Sequence, residues 1–449
     1  MISQANRVPS AILATLCLFT EAGFPGGLAT STGRAFRSHQ LAHNVFGTST
    51  LPSPTGPFGV GRVTVHWTDR SRVEPLAPDR GPRELMVDVW YPADAAAGPV
   101  APYLDASAFD QPQSVERLKG LLGTAYDAVK AGLVRTHAIQ AAPFALSVKR
   151  SPVLVFSHGG GEAKELYAAQ LEDLASHGYV VAAITHTYDA VLAVFPDGRH
   201  VVLAPERWPT PTTSTIVGLP PSEEANPDRL QWWAEDIRFV LNKLGAENRI
   251  GSSSLPFGGH LDLKHVGAFG HSAGGQAAAH ACQIDRRLRA CLNQDGLSAF
   301  APFYVDSHGW GMDQAFLLIE RAPRTIPPTD DELAAMKLTR RQAEELVARL
   351  KARQDAALRS TRKGSCRVLL ESDHTTHADF GDLPLLQSRD QAEAETRARV
   401  LGVVRSYTRA FFDKQLRGMK APLLDDKIAS EFVEAVESFP PSKRPRVRR

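Results

Sequence analysis

A chain of 449 residues, 43% hydrophobic and 22% charged, is long enough for one large α/β domain with insertions and has the composition of a globular protein. Its 51 Lys and Arg nearly balance 49 Asp and Glu, leaving a formal net charge of +2. So small a charge gives no electrostatic case for nucleic acid as a partner, and points to small molecules or an apolar surface instead.

Arg7 precedes an apolar run from Ala11 to Phe19, and the small residues Thr20 and Ala22 bracket a cleavage point. This is the layout of a secretory signal over residues 1–22, and the run is too short to span a bilayer. Pro9 and Glu21 fit that layout less well and leave a loosely docked arm as the alternative. The expected location is therefore secreted or periplasmic, and cytoplasmic if residues 1–22 are not a signal. Residues 23–50 read as an N-terminal arm, and no other stretch suits a transmembrane helix. Cys17 would leave with the signal. Cys282, Cys291 and Cys366 show no metal-ligand spacing. Cys282 and Cys291 are free to pair in an exported protein, or to stand as buried thiols otherwise.

A Pro/Gly-rich stretch, Leu51 to Pro57, opens a domain expected to run over residues 51–435. Val60 to Trp67 and Glu84 to Trp90 alternate apolar and polar residues, the pattern of half-buried antiparallel strands. From Val153 the pattern changes, because Val153 to Phe156 is continuously apolar, as in a strand buried on both faces. Tyr167, Leu171 and Leu174 follow at helical spacing, with a helix start near Glu162, and Val180 to Ile184 is the next buried strand.

Trp233, Ile237, Val240 and Leu244 make one helical face. Strands follow at Val266 to Phe269, Ala290 to Gln294, Phe316 to Ile319 and Arg367 to Leu370, with a long helix from about Gln391 to Phe412. Strands alternating with helices imply a mostly parallel sheet covered by helices on both faces, made mixed by its leading antiparallel strands. Two insertions interrupt it. Residues 191–228 read as a hairpin around Pro196-Asp197-Gly198 followed by a Pro/Thr-rich loop. Residues 329–359 read as two helices, opened by capping boxes at Thr329 with Glu332 and Thr339 with Gln342, with a solvated charged face. Both are placed to shape or cover a site as lids. Residues 436–449 read as a disordered basic tail.

The run Gly270-His271-Ser272-Ala273-Gly274 joins the strand Val266–Phe269 to a helix opened by Gly274-Gly275-Gln276-Ala277-Ala278-Ala279. A serine hydroxyl needs a base to become a nucleophile, and a tight strand-to-helix turn flanked by glycines presents it to one. Ser272 is thus the candidate nucleophile of an α/β-hydrolase fold. In that fold the acid and then the histidine follow in chain order. Asp295 and Glu320 each end a core strand and are rival acids. His308 precedes a strand, the wrong end of a parallel sheet, whereas His374 and His377 follow the last buried strand. His374, nearer the strand, is the expected base, with His377 as alternative. The backbone amide of Ala273 and one from Ser157-His158-Gly159-Gly160-Gly161 are the expected oxyanion donors. That glycine loop lacks the patterns of a phosphate-binding loop.

Pro152 to Thr185, Val266 to Gly275, Asn293 to Gly296 and His374 to Phe380 together resemble the plasma-type platelet-activating-factor acetylhydrolases (lipoprotein-associated phospholipases) and their bacterial relatives. The resemblance runs over roughly residues 50 to 415. It implies Asp295 as the acid, His374 as the base and Gly160 as the second oxyanion amide. It also implies calcium-independent ester hydrolysis through an acyl-enzyme, with no metal and no organic cofactor. The expected substrate is a small-molecule or lipid ester, such as a short or modified acyl chain on a phospholipid, met in peripheral contact with a lipid surface. A short-chain, aromatic or polyester substrate is the alternative, and a non-catalytic binding protein on the same fold is the alternative of another class. Gly160 stands where larger apolar residues also occur in this family, and His377 where some members carry an aromatic.

Overall fold

The computed structural model describes residues 51–94, 98–204, 227–249, 255–296, 312–322, 330–335, 339–426 and 430–442. The signal, the N-terminal arm, Thr329, His308 and residues 443–449 lie outside these.

The strands are β1 (Gly59–Val73), β2 (Pro82–Ala93), β3 (Ile139–Gln140), β4 (Ser151–Ser157), β5 (Val180–Thr185), β6 (Leu192–Val194), β7 (His200–Val202), β8 (Leu261–His271), β9 (Leu288–Gln294), β10 (Ala315–Arg321), β11 (Ser365–Leu370) and β12 (Val433–Phe439). Ten of them form one sheet in the order β12-β11-β10-β9-β8-β4-β5-β2-β1-β3, and β6 with β7 make a separate hairpin. The pairs from β5 through β4, β8, β9 and β10 to β11 are parallel. The leading β1 and β2 are antiparallel to each other, as expected, and β2 is antiparallel to β5, but β2 is buried on both faces from Leu85 to Ala93 and not half-buried.

Every residue of β4 is buried, because consecutive side chains feed two cores. The helices that matter for the site are α1 (Pro112–Leu122), α2 (Ala168–Ser176), α3 (Pro227–Arg249), α4 (Ala273–Ile284), α5 (Arg340–Arg359) and α6 (Gln391–Arg417). Leu154, Phe156, Phe269 and Leu292 pack with Leu171 and Leu174 of α2 and with Val404, Phe411 and Phe412 of α6. Val153, Val155, Val266 and Ala268 face the other way, onto Trp233 and Ile237 of α3 and Ala277 and Ala281 of α4.

The parallel register brings strand ends level. Ser157 pairs with Gly270, His271 with Gln294, Gln294 with Ile319, and Arg321 with Leu370. The segments that follow β4, β8, β9 and β11 therefore emerge along one edge, where open α/β sheets carry their sites.

Several elements were not anticipated from the sequence, among them a helix and an edge strand. Helix α1 buries Ser114, Leu118 and Leu122 on one side. Residues 436–439, expected in the basic tail, lie in β12, which covers the free edge of β11 in antiparallel register. Arg367 of β11 donates from Nε to Glu437 at 2.9 Å. The apolar Val433, Val436 and Phe439 recur every three residues, so no alternation marks the strand. Among the described residues no helix is long and apolar enough to cross a membrane.

Candidate active site

Ser272 joins β8 to α4 at φ 53° and ψ −122°, a backbone conformation costly for a residue with a side chain. Its amide donates to the Gln294 carbonyl at 2.8 Å, and its carbonyl accepts from the Gln276 amide at 3.2 Å. The flanking glycines are there because nothing larger fits. A Cβ on Gly274 would come within 2.1 Å of the Ser157 carbonyl oxygen, and one on Gly270 within 2.5 Å of it. The elbow is thereby pressed against the end of β4 and the glycine loop beyond it.

Asp295, directly after β9, also has a positive φ of 53°. Its amide donates to the Ile319 carbonyl at 2.7 Å, which ties the turn to β10. Its Oδ2 accepts from His377 Nδ1 at 2.7 Å and from Arg321 Nε at 2.8 Å. Burial raises the carboxyl pKa, but the Arg321 charge and the His377 hydrogen bond outweigh it and hold the group below the ordinary carboxylate range. Asp295 is thus a buried, ionised partner for one particular imidazole.

That imidazole is not the expected one. The His374 side chain is 56% exposed, and its nearest carboxylate is Glu371 at 3.9 Å. The histidine loop explains the choice. Thr375 Oγ1 donates to the Glu371 carbonyl at 2.7 Å, folding the chain back past β11. Thr376 and Asp379 then form a capping box on the single 3-10 turn His377–Phe380, which starts at His377. Arg397 of α6 clamps the loop from outside, donating to Asp379 Oδ2 at 2.8 Å and to the His374 carbonyl at 3.3 Å. His377 is directed inward, its ring 4.5 Å from that of His271, the residue before Ser272. Closeness to the strand in sequence was a poor guide, since the loop turns back on itself before it enters the site.

Glu320, the rival acid, faces elsewhere. It accepts from Gln354 Nε2 of α5 at 2.7 Å and lies 3.8 Å from Arg367. Burial, opposed by the Arg367 charge, pushes its pKa up to about 7.

After β4, the Gly159 amide donates to the Tyr167 hydroxyl at 3.2 Å, and the Gly161 amide to the Asp189 carbonyl at 3.0 Å, with Gly161 at φ 74°. Among the described residues no acceptor takes the amides of Gly160 or Ala273. The loop is longer than the sequence suggested, because α2 starts at Ala168 after a 3-10 turn. The β6–β7 insertion borders it, with the Val191 amide donating to the Glu162 carbonyl at 2.9 Å. In the second insertion Thr339 and Gln342 form the expected capping box.

A second Ser–His–Asp array lies nearby. Ser157 Oγ is 3.1 Å from His186 Nε2, and His186 Nδ1 is 2.8 Å from Asp236 Oδ2. All three residues are wholly buried, and Arg83 and Arg72 pair with the same Asp236. So deeply buried, this array reads as a strut that joins β4, the residue after β5 and α3 behind the glycine loop. At the elbow, by contrast, Ser272 is partly exposed, as is the His377 side chain at 21%. Among the described residues no cluster of three His, Cys, Asp or Glu is arranged to hold a metal.

Comparison with known proteins agrees with the motif resemblance. Residues 43–197 match the family model described as platelet-activating factor acetylhydrolase, isoform II. A 1-alkyl-2-acetylglycerophosphocholine esterase, so named as probable, from Arthroderma benhamiae is 25% identical over 58% of this chain and 62% of its own length. The platelet-activating factor acetylhydrolase of Cavia porcellus is 25% identical over 57% of each chain. The chain thus spans about six tenths of the length of these curated relatives. Among solved structures, a ferulic acid esterase from Streptomyces cinnamoneus is 28% identical with a TM-score of 0.62, covering 87% of this chain and 98% of that one.

Proposed function

We propose that the chain is a serine hydrolase of carboxylic esters, with Ser272 as nucleophile, His377 as general base and acid, and Asp295 as the carboxylate that orients it. The observation that carries this reading is the 2.7 Å bond between Asp295 and His377 at the sheet edge where the strained Ser272 elbow emerges. His377 Nε2 takes the Ser272 proton as the hydroxyl attacks the ester carbonyl. Asp295 holds Nδ1–H and stabilises the imidazolium that forms. The amides of Gly160 and Ala273 bind the oxyanion, having no other acceptor among the described residues. His377 then returns the proton to the leaving alcohol, and a water activated the same way releases the acid. Similarity to proteins named as esterases and acetylhydrolases supports the same chemistry.

Two acyl classes compete. One sequence relative is named for an alkyl-acetyl glycerophosphocholine and the other for platelet-activating factor, whereas the neighbour matched over nearly its whole length is named for ferulic acid. A panel of p-nitrophenyl esters of rising chain length, an acetylated ether phospholipid and a feruloyl ester separates them, with Ser272→Ala as blank. Turnover of no ester above that blank, and no labelling by a fluorophosphonate, would favour a binding protein instead. The Cys282–Cys291 disulfide, with Cα atoms 6.4 Å apart, supports an oxidising compartment and so an exported protein.

A further inference from the structure

Resting on this reading, we propose that Glu162 is a second functional carboxylate of the site, a positioning residue acting through Tyr167 and His271 on the catalytic base His377 and on the oxyanion loop. Glu162 directly follows the glycine loop and is in hydrogen-bond contact with the Tyr167 hydroxyl. That hydroxyl also lies 2.6 Å from His271 Nδ1 and accepts from the Gly159 amide at 3.2 Å. A Cβ on Gly159 would fall 2.5 Å from Glu162 Oε2, so the carboxylate lies against the loop itself. The Ser–His–Asp mechanism uses none of these three side chains.

Protons can be placed by counting donors. Burial raises the Glu162 pKa, but interactions with His271 and the Tyr167 hydrogen bond bring it down to about 2, so the group is a pure acceptor. Burial and the Glu162 charge keep the Tyr167 hydroxyl protonated. Tyr167 therefore donates its one proton to Glu162 and offers its lone pairs to Gly159 N–H and His271 Nδ1–H. His271 is held as the neutral Nδ1–H tautomer, since burial, reinforced by the neighbouring His377, lowers its pKa. One carboxylate thus anchors an amide of the oxyanion loop and the ring on which His377 rests.

The charges facing His377 can be named from each side. Asp295 bonds it after β9 at 2.7 Å, with Arg321 of β10 on the same carboxylate at 2.8 Å. Neutral His271 of β8 faces it ring to ring, and Glu162 stands behind that ring, 3.6 Å from His271 Nδ1. On its own loop Asp379 is paired with Arg397 of α6, and His374 and Glu371 lie outward. Arg321 offsets part of the Asp295 charge, so Glu162 adds the second negative charge available to the imidazolium formed during turnover.

The test is Glu162→Gln, which keeps an acceptor for Tyr167 and removes the charge. The histidine carbon resonances of parent and variant are followed by NMR against pH, with His377 assigned through His377→Gln. The expected result is that the His377 resonances change with pH differently in Glu162→Gln, their transition displaced toward acid, because a negative charge favouring imidazolium is gone. The acid limb of kcat/KM moves the same way, with a roughly three- to thirtyfold loss of kcat/KM. Glu162→Asp, which keeps the charge, restores the parent titration. Glu162→Ala carries the same expectation as Glu162→Gln and replaces it if that variant does not fold. Unchanged titration of His377 in the charge-removing variant overturns the proposal. The NMR result stands whether or not the parent turns over esters, so failure of the esterase reading is seen separately in the Ser272→Ala comparison.

Discussion

Asp295 and His377, 82 residues apart in sequence, meet in a 2.7 Å hydrogen bond, while His374, three residues earlier, faces solvent. The pair is assembled by the sheet from both sides. Asp295 is fixed by the hydrogen bond its backbone N–H donates to β10 and by Arg321, and His377 by a capped turn clamped to α6. Neither partner depends on a substrate for its placement.

His377→Ala should lower kcat/KM on an activated ester by about three to four orders of magnitude, as loss of a general base does in such triads. His374→Ala should stay within about threefold of the parent, since its side chain reaches no group of the site. Steady-state kinetics of the two variants decide the base. A loss confined to His374→Ala would return the role to that residue.

Glu320 offers a pH-dependent check on the acid. Its pKa is raised by burial to about 7 in the folded chain. An unfolded glutamate ionises near 4.5, so between about 4.5 and 7 the unfolded chain loses its proton first. The stability this group lends is thus fully present below the lower value and is lost as pH rises through the upper one. Glu320→Gln should leave the melting temperature little changed at pH 5 and raise it by a few degrees at pH 8, on the order of 1–3 kcal/mol. Arg367 keeps Asp355 and Glu437 as partners in that variant. Ester turnover should persist, whereas Asp295→Asn should lose most of it.

The elements that formed as read are those whose pattern follows from burial. β4, buried along its whole length, could only be a central strand, and the Gly-flanked Ser272 between β8 and α4 could only be a turn. Strand order then confined the candidate acid and base to the same sheet edge. What stayed hidden depends on contacts distant in sequence. The choice of His377 rests on Arg397, Asp379 and Thr376, whose joint hold on the loop has no periodic signature. β12 was hidden for a similar reason, because its pairing to β11 is fixed partly by Arg367 with Glu437. Glu162 belongs to the same class: it looks like an ordinary residue at the start of a helix until Tyr167 and His271 close around it.

The elbow's close packing makes Gly274 the least replaceable residue near the nucleophile. A methyl there would lie 2.1 Å from the Ser157 carbonyl oxygen and 2.4 Å from that of His158, both backbone atoms. Neither can retreat without moving β4 and the oxyanion loop. Gly274→Ala should cost about 3 kcal/mol or more and reduce turnover by at least a hundredfold in whatever fraction folds. Thermal melts with active-site titration by a fluorophosphonate separate the two effects. A variant with parent stability and labelling rate would mean that the elbow and β4 are less tightly apposed than described.

The disulfide joins α4, the helix that follows the elbow, to β9, the strand that leads into Asp295, across a sequence separation of only 9 residues. So short a loop limits the entropy removed from the unfolded chain, giving about 2–3 kcal/mol of stabilisation. Cys282 and Cys291 are fully buried among the side chains beneath α4, so the native structure shields the bond from reductant. Reduction should therefore be slow in the folded protein and rapid once it unfolds. Melts with and without reductant should differ by several degrees, and the double Cys282→Ala, Cys291→Ala variant should match the reduced curve while keeping its catalytic rate at low temperature. Identical melts for parent and double variant under oxidising conditions would show that the bond contributes nothing to stability.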